Sequence, residues 1–239
     1  MGSGLVVLRE GFEASLAVGI VLAFLDRSGR RDGFGAVWAG VIAAVALSAL
    51  AGTVLFVVGA ELEGKAEAIF EGVTMVLAAG LLTWMVFWMR KQSRTIRQSL
   101  EGKVTTALAS GSALGLAAVA FIGVLREGVE TALFLYSTTE KSSPVVSLVS
   151  SLAGLVLALG LGYLFYRGSH RLDLRRFFQV TSGLLLLFAG WLLAGGIEEL
   201  AEGGVIPENE ALLWGAFIAL AAPTLWFFFR KPRATTATA

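Results

Sequence analysis

One charged pentapeptide occurs twice in this chain, and both copies lie within apolar stretches. The copies are Arg9–Glu13, with the sequence REGFE, and Arg126–Glu130, with the sequence REGVE. An ionisable side chain inside a membrane costs at least about 2.5 kcal/mol to insert, and such residues mark ion or substrate pathways by default. We therefore interpret the duplicated cluster as the functional centre of the protein.

The spacing of the charges within each copy predicts a cation site. Helical residues three or four positions apart share a face, so Glu10 and Glu13 project together and Arg9 reaches Glu13. The same spacing recurs in Arg126, Glu127 and Glu130. Carboxylate oxygens prefer hard cations, and each arginine can hold a carboxylate in place before the ion arrives. The alternative is a pair of salt bridges with no other role, which leaves the second carboxylate of each copy unexplained.

The remaining composition restricts the kind of metal site and excludes two enzyme classes. The chain has no cysteine and one histidine, so thiolate ligands and disulfides are absent and a metal must be held by oxygen atoms. Di-iron oxidases in helical bundles use Glu-x-x-His motifs, and haem proteins need an axial ligand, commonly histidine. His170 lies in a basic loop segment and meets neither requirement. We therefore expect no enzyme activity and no resident cofactor.

Composition also predicts an all-α membrane protein. Of the 239 residues, 56% are hydrophobic and 15% are charged, and the mean hydropathy is +0.77. These values are far more apolar than those of soluble domains. Crossing a hydrocarbon layer of about 30 Å takes about 20 apolar residues. Seven segments meet that length: Leu5–Leu25, Phe34–Gly59, Ala68–Met89, Thr105–Ser137, Val145–Tyr166, Phe177–Leu200 and Leu212–Phe229.

The loop charges predict how these segments are oriented. Assigned alternately to two sides, the loops of one side carry nearly all the basic residues, whereas the other side has only Lys65 and Lys141. Loops rich in lysine and arginine stay in the cytoplasm, so the N-terminus is expected outside and the C-terminus inside. The basic residues of the inner side are Arg27, Arg30, Arg31, Arg90, Lys91, Arg94, Arg97, Lys103, Arg167, Arg171, Arg175, Arg176, Arg230, Lys231 and Arg233.

The motif duplication further predicts an internal repeat within a single domain, 1–239. Residues 5–89 form one three-helix unit, residues of about 105–200 form a second, and the helix at about 212–229 has no counterpart. Three crossings per unit invert the second relative to the first, as in many transporters. The first and fourth segments would then be antiparallel, with Gly11, Gly128 and the pair Gly111 and Gly115 allowing close packing.

Acidic residues on the predicted outer side are candidates for cation capture. Glu71, near the start of the third segment, is either a fifth ligand or relay, or a solvated carboxylate favoured by the helix dipole. Glu198, Glu199 and Glu202 either line an outer vestibule that concentrates cations or only keep the loop soluble. We include all four among the candidate residues.

The two motifs in this frame resemble the high-affinity iron permease family, whose signature is Arg-Glu-x-x-Glu in the first and fourth of seven transmembrane helices. The resemblance covers essentially the whole chain. It implies import of iron, as ferric ion delivered by a ferroxidase, across the plasma membrane, which in a bacterium is the inner membrane. It assigns iron binding or passage to the motif glutamates Glu10, Glu13, Glu127 and Glu130, with Arg9 and Arg126 in support.

The resemblance also implies which partners to expect. They are the iron ion, the lipid bilayer and a separate ferroxidase or periplasmic iron donor. No nucleic-acid partner is expected, and a homo-oligomer is compatible with the sequence. Because oxygen ligands alone do not choose among hard or borderline metals, a permease for manganese or lead is the alternative function. A purely structural role is the alternative to transport, and it leaves the duplicated charges without a function.

Overall fold

The computed structural model describes residues 2–92, 96–109, 111–139, 143–166 and 174–207, with scattered positions between 211 and 226. Within these ranges the regular structure is helical and contains no strand, which confirms the all-α prediction. A short 3-10 turn, Arg31–Gly33, precedes the second helix. The helices are α1 (Gly2–Arg27), α2 (Phe34–Ala60), α3 (Lys65–Gln92), α4 (Ile96–Ala109), α5 (Ala113–Thr139), α6 (Pro144–Tyr166) and α7 (Leu174–Glu202).

The predicted fourth segment, Thr105–Ser137, is not one helix. Instead α4 ends at Ala109 and α5 begins at Ala113, with Gly111 in the left-handed conformation at φ +63°. The Ser112 hydroxyl accepts a hydrogen bond from the backbone N–H of Gly115 at 2.9 Å, which caps the start of α5. Gly111 therefore makes a turn and does not pack helices together, so that part of the prediction was wrong.

Glycine ends three of the helices in the same way. Gly29, Gly111 and Gly204 all have positive φ, which costs a glycine little because it has no Cβ. In each case the next residue donates its backbone N–H to a carbonyl five positions earlier, as in a Schellman motif. These bonds run from Arg30 to Leu25, from Ser112 to Ala107 and from Val205 to Leu200.

Among the residues that the structure describes, four helical spans are long and apolar enough to cross a membrane: Arg31–Ala60, Lys65–Trp88, Val145–Leu164 and Phe177–Glu202. Helices α1 and α5 have 26 and 27 residues but carry the motif charges, which reduce their apolar character. The predicted seventh segment, Leu212–Phe229, lies largely outside the described residues. The basic residues Arg97 and Lys103, predicted in an inner loop, belong to α4.

Helices α1 and α5 form the centre of the bundle. They contact each other, α6 packs along α1, α2 packs along α5, and α3 packs along α7. The main core lies where α3 and α7 meet the central pair, with Val6, Met75, Leu82, Phe134 and Leu185 all nearly inaccessible. Helices α2 and α6 instead leave long rows of apolar side chains exposed. The motif charges thus lie on the two helices at the centre of the bundle.

Candidate metal site

Three motif carboxylates from two helices meet between α1 and α5. Glu10, Glu127 and Glu130 each place one carboxylate oxygen within 4.8 Å of the others. All three side chains are buried, with exposed fractions of 0%, 5% and 6%. Three carboxylate oxygens at this separation can share one hard cation, because each supplies an anionic oxygen ligand. The structure therefore brings the two sequence motifs together at one place.

Glu13, the fourth motif glutamate, is held by its own arginine. The Arg9 Nε donates a hydrogen bond to Glu13 Oε1 at 3.0 Å, and both side chains are buried. Glu13 also interacts electrostatically with Glu127 and Arg126. It therefore belongs to the same charged cluster but lies outside the group of three oxygens, with Arg9 as its neutralising partner.

The second arginine makes a different set of contacts. Arg126 Nε donates to Glu127 Oε1 at 3.0 Å and lies 3.7 Å from Glu130 Oε1. Its side chain is 38% exposed, and its guanidinium lies over the Trp88 ring, 4.9 Å from the centroid. The two copies of the motif are therefore similar in sequence and unequal in structure: Arg9 is enclosed, whereas Arg126 lies at the edge of the cluster.

Several buried polar atoms of the cluster have no hydrogen-bond partner among the described residues. They are both oxygens of Glu10, Oε2 of Glu127, Oε2 of Glu130, and Nη1 and Nη2 of Arg9. Burying a charged group without a partner costs free energy, so each such group needs an explanation. A bound ion would supply the missing partner of the carboxylate oxygens. The four carboxylates and two guanidiniums carry a formal charge of −2, which a divalent cation would neutralise.

Comparison with known proteins agrees with this chemistry. Residues 1–219 match the Iron permease FTR1 family. The chain belongs to this family. It is 38% identical to the protein named ferrous iron permease EfeU of Escherichia coli O6:H1 over 224 residues, 93% of this chain and 81% of that protein. It is also 38% identical to the Yersinia pestis protein of the same name over 203 residues, 84% of this chain and 72% of that protein. No solved structure matches the chain.

A groove of about 820 Å³ opens onto the carboxylate cluster of this family member. Glu10 and Glu127 line it, and the other lining residues come from α1, α2, α5 and one position of α6, Leu155. Apart from the two glutamates, the described residues that line the groove are mostly apolar, and none of them carries a charge. Glu13 and Glu130 do not line the groove. The cluster thus has one side toward the groove and one side enclosed by helices.

The motif glycines shape the walls of this groove. A Cβ built on Gly11 would lie 3.1 Å from the Ala158 Cβ of α6, and one built on Gly128 would clash with Ser48 of α2. The missing side chains of these glycines therefore allow α6 to pack closely on α1 and α2 to pack closely on α5. The predicted role of the two glycines was instead to bring the two motif helices together. Sequence reasoning also missed Ser48, which lines the groove, and Trp88, which contacts Arg126. Their only sequence signals are a polar residue in an apolar run and an aromatic residue near a helix end.

Three of the four acidic candidates predicted on the outer side line a second cavity of about 490 Å³. It is formed where α3 begins and α7 ends, and Glu71, Glu199 and Glu202 line it with Glu67 and Lys65. Glu198, the other candidate, is not among the lining residues. Glu71 is therefore grouped with the outer acids, separate from the three carboxylates between α1 and α5. Its role as a fifth ligand or relay stays a prediction.

Proposed function

We propose that this protein imports iron across the plasma membrane and that the ion passes between α1 and α5. The observation that carries the proposal is the meeting of Glu10, Glu127 and Glu130, whose oxygens lie within 4.8 Å of one another in a buried setting. Family membership supports iron as the ion. The protein acts as a transporter and not as an enzyme, with iron as its cargo and no resident cofactor.

The proposed path uses exchange of carboxylate ligands. An ion at Glu10 and Glu127 replaces contacts that Arg126 makes with the second motif, because a cation competes with the guanidinium for the same oxygens. Glu130 and Glu13 then take over as ligands as the ion moves along the cluster. Arg9 keeps Glu13 oriented before the ion arrives.

We further propose the complete membrane architecture: seven crossings, two inverted three-helix units and an N-terminus outside, in one domain. The packing supports this arrangement, because α1 pairs with α6 and α5 pairs with α2. The first helix of each unit thus packs on the second helix of the other unit. Such an exchange is expected when two similar units are related by an axis in the membrane plane.

The cavity lined by Glu71, Glu199 and Glu202 is the proposed entry vestibule. Carboxylates of one sign in a cleft raise the local concentration of cations. Placed at the outer face of a bacterial inner membrane, the cavity would receive iron from a separate periplasmic donor or ferroxidase. Glu198 belongs to the same acidic region through its position beside Glu199.

Two observations point to different oxidation states of the transported iron. The names of the two relatives specify ferrous iron, and we propose ferrous ion as the first substrate to test with this protein. The resemblance based on the motifs implies ferric iron supplied by a ferroxidase. Carboxylate oxygens bind both ions, so only transport of each form can decide between them.

The test is uptake of radioactive iron into proteoliposomes, with ferrous and ferric ion presented separately and manganese as competitor. We expect the wild type to accumulate iron and the double variant Glu10→Gln, Glu127→Gln to lose at least about 90% of the rate, since both carboxylates that line the groove lose their charge. Glu63→Gln, an exposed acid outside both cavities, is the matched control. Uptake by the double variant equal to that of the wild type would overturn the assignment of the site. A preference for manganese over iron would overturn the assignment of the substrate.

A further inference from the structure

Ser48 of α2 has a hydroxyl that behaves unlike most others in the bundle. Helical serine and threonine hydroxyls usually bond to a carbonyl three or four residues earlier. Thr53 donates to the Ala49 carbonyl at 2.8 Å, and Thr83 donates to that of Ala79 at 2.7 Å. The Ser48 Oγ has no partner among the described residues although the side chain is only 8% exposed. The described part of the chain therefore leaves its hydrogen-bonding capacity unused.

This hydroxyl lies in the wall of the groove. Ser48 lines the same groove as Glu10 and Glu127 and packs against Gly128, the residue after Glu127. Ser151 also has an unpartnered hydroxyl but lines neither cavity. Ser48 is thus the unpartnered buried hydroxyl, within the described part of the chain, that shares a cavity with the motif carboxylates.

The corresponding contact in the other half of the bundle lacks such a group. Gly11 faces the Ala158 Cβ of α6, whereas Gly128 faces the Ser48 hydroxyl of α2. A methyl group satisfies the packing at the first glycine, so packing alone does not require a hydroxyl at the second. A buried hydroxyl without a partner is less favourable than a methyl group, which indicates that it binds something else.

We propose that Ser48 is a further ligand of the transported cation and supplies a neutral oxygen beside the carboxylates of Glu10 and Glu127. Hard cations take six or more oxygen ligands in proteins, and a serine or threonine hydroxyl can be one of them. A neutral ligand adds coordination without adding charge, so it strengthens binding while the net charge of the cluster stays unchanged. This inference rests on the proposed function, because it assigns a ligand to the same site.

The first experiment compares Ser48→Ala with Thr53→Val in the proteoliposome assay with ferrous iron. Both residues line the groove on α2, but the Thr53 hydroxyl is already bonded to Ala49. We expect Ser48→Ala to raise the apparent KM for iron about fivefold to tenfold, the scale of one lost polar contact, and Thr53→Val to change it less than about twofold.

The second experiment changes the chemistry of the ligand without removing it. Because the chain has no cysteine, Ser48→Cys introduces a single thiol, and thiolates favour softer ions than hydroxyl oxygens do. We expect Cd²⁺ to inhibit iron uptake by Ser48→Cys at a concentration at least about tenfold lower than for the wild type or Thr53→Cys. A residue that only fills space would not change metal preference in this way.

The outcomes separate this inference from the function on which it rests. Unchanged KM in Ser48→Ala and unchanged Cd²⁺ inhibition in Ser48→Cys would overturn the Ser48 assignment, while loss of uptake in Glu10→Gln, Glu127→Gln would leave the proposed function standing. Failure of the wild type to take up iron would overturn both. If Ser48→Ala elutes as aggregate, the Cd²⁺ result with Ser48→Cys decides.

Discussion

Arg9 and Glu13 form an ion pair at 3.0 Å in which both side chains are almost completely enclosed by the bundle. The corresponding arginine of the second motif, Arg126, is 38% exposed and contacts Glu127 more closely than Glu130. One motif therefore has a fixed internal pair, and the other has an arginine at the edge of the site. This difference between two similar sequences leads to the first prediction.

Replacing Arg9 by alanine should destabilise the protein much more than replacing Arg126. Removing one partner of a buried ion pair costs about 3–5 kcal/mol because the remaining charge is buried alone. A partly exposed arginine contributes about 1 kcal/mol or less. Thermal unfolding of the purified protein in detergent measures both changes, and equal shifts in Tm for the two variants would contradict the asymmetry.

The same pair makes Arg9→Lys a test of geometry at constant charge. Lysine presents a single ammonium group and cannot reproduce the planar guanidinium that orients the Glu13 carboxylate. We expect Arg9→Lys to be folded and to take up iron more slowly than the wild type. Normal kinetics would show that only the positive charge matters at this position.

Gly128→Ala should be strongly unfavourable, because a Cβ there would lie 2.6 Å from the Ser48 Cβ and closer still to its hydroxyl. Overpacking of this kind costs about 1–3 kcal/mol. Gly123→Ala on the same helix is the matched control, since a Cβ at Gly123 meets no atom within 4 Å. The yield of folded protein and its Tm should fall for Gly128→Ala only, and a comparable loss in both variants would contradict the packing.

Trp88→Leu should weaken transport through its effect on Arg126. The ring holds the guanidinium at the edge of the cluster, where it contacts Glu127, and contacts between a cation and an aromatic ring contribute about 0.5–2 kcal/mol. Without it Arg126 competes more strongly with the ion, so the apparent KM for iron should rise about twofold to fivefold. Trp88→Phe should retain most activity because it keeps an aromatic face.

Trp84 provides the control for this effect. It stacks on Trp88 with ring centroids 6.1 Å apart, and its side chain is 56% exposed. Trp84→Leu therefore removes a similar aromatic surface next to the same tryptophan. A KM for Trp84→Leu as high as that for Trp88→Leu would show that the loss is a general packing effect.

Replacing both Glu199 and Glu202 by glutamine should slow iron uptake at low iron concentration and low salt. The two carboxylates line the second cavity, and removing their charge reduces the local concentration of cations. We expect an initial rate at least about threefold lower, a difference that shrinks at high salt because exposed charges are screened. The variant Glu61→Gln, Glu63→Gln, two exposed acids that do not line the cavity, should behave as wild type.

Some features of this protein could be read from residue types and spacing. The apolar composition predicted an all-α membrane protein, and the pattern of Arg9, Glu10 and Glu13 predicted a carboxylate site. The break in the fourth segment was also encoded, since Gly111 followed by Ser112 is a helix end and a helix cap. The apolar residues on both sides of Gly111 and Ser112 resemble one continuous membrane segment, and this pattern hides the helix end.

The chemistry of the site follows from residue types alone, because the four glutamates, the single histidine and the absence of cysteine point to oxygen ligands for a metal. Helix packing selects which oxygens meet: Glu10 with Glu127 and Glu130, while Glu13 pairs with Arg9. It also brought Ser48 and Trp88 to the cluster. The spacing of residues along the chain sets the face of a helix on which each one lies, whereas the contacts between the faces of two helices depend on how those helices pack.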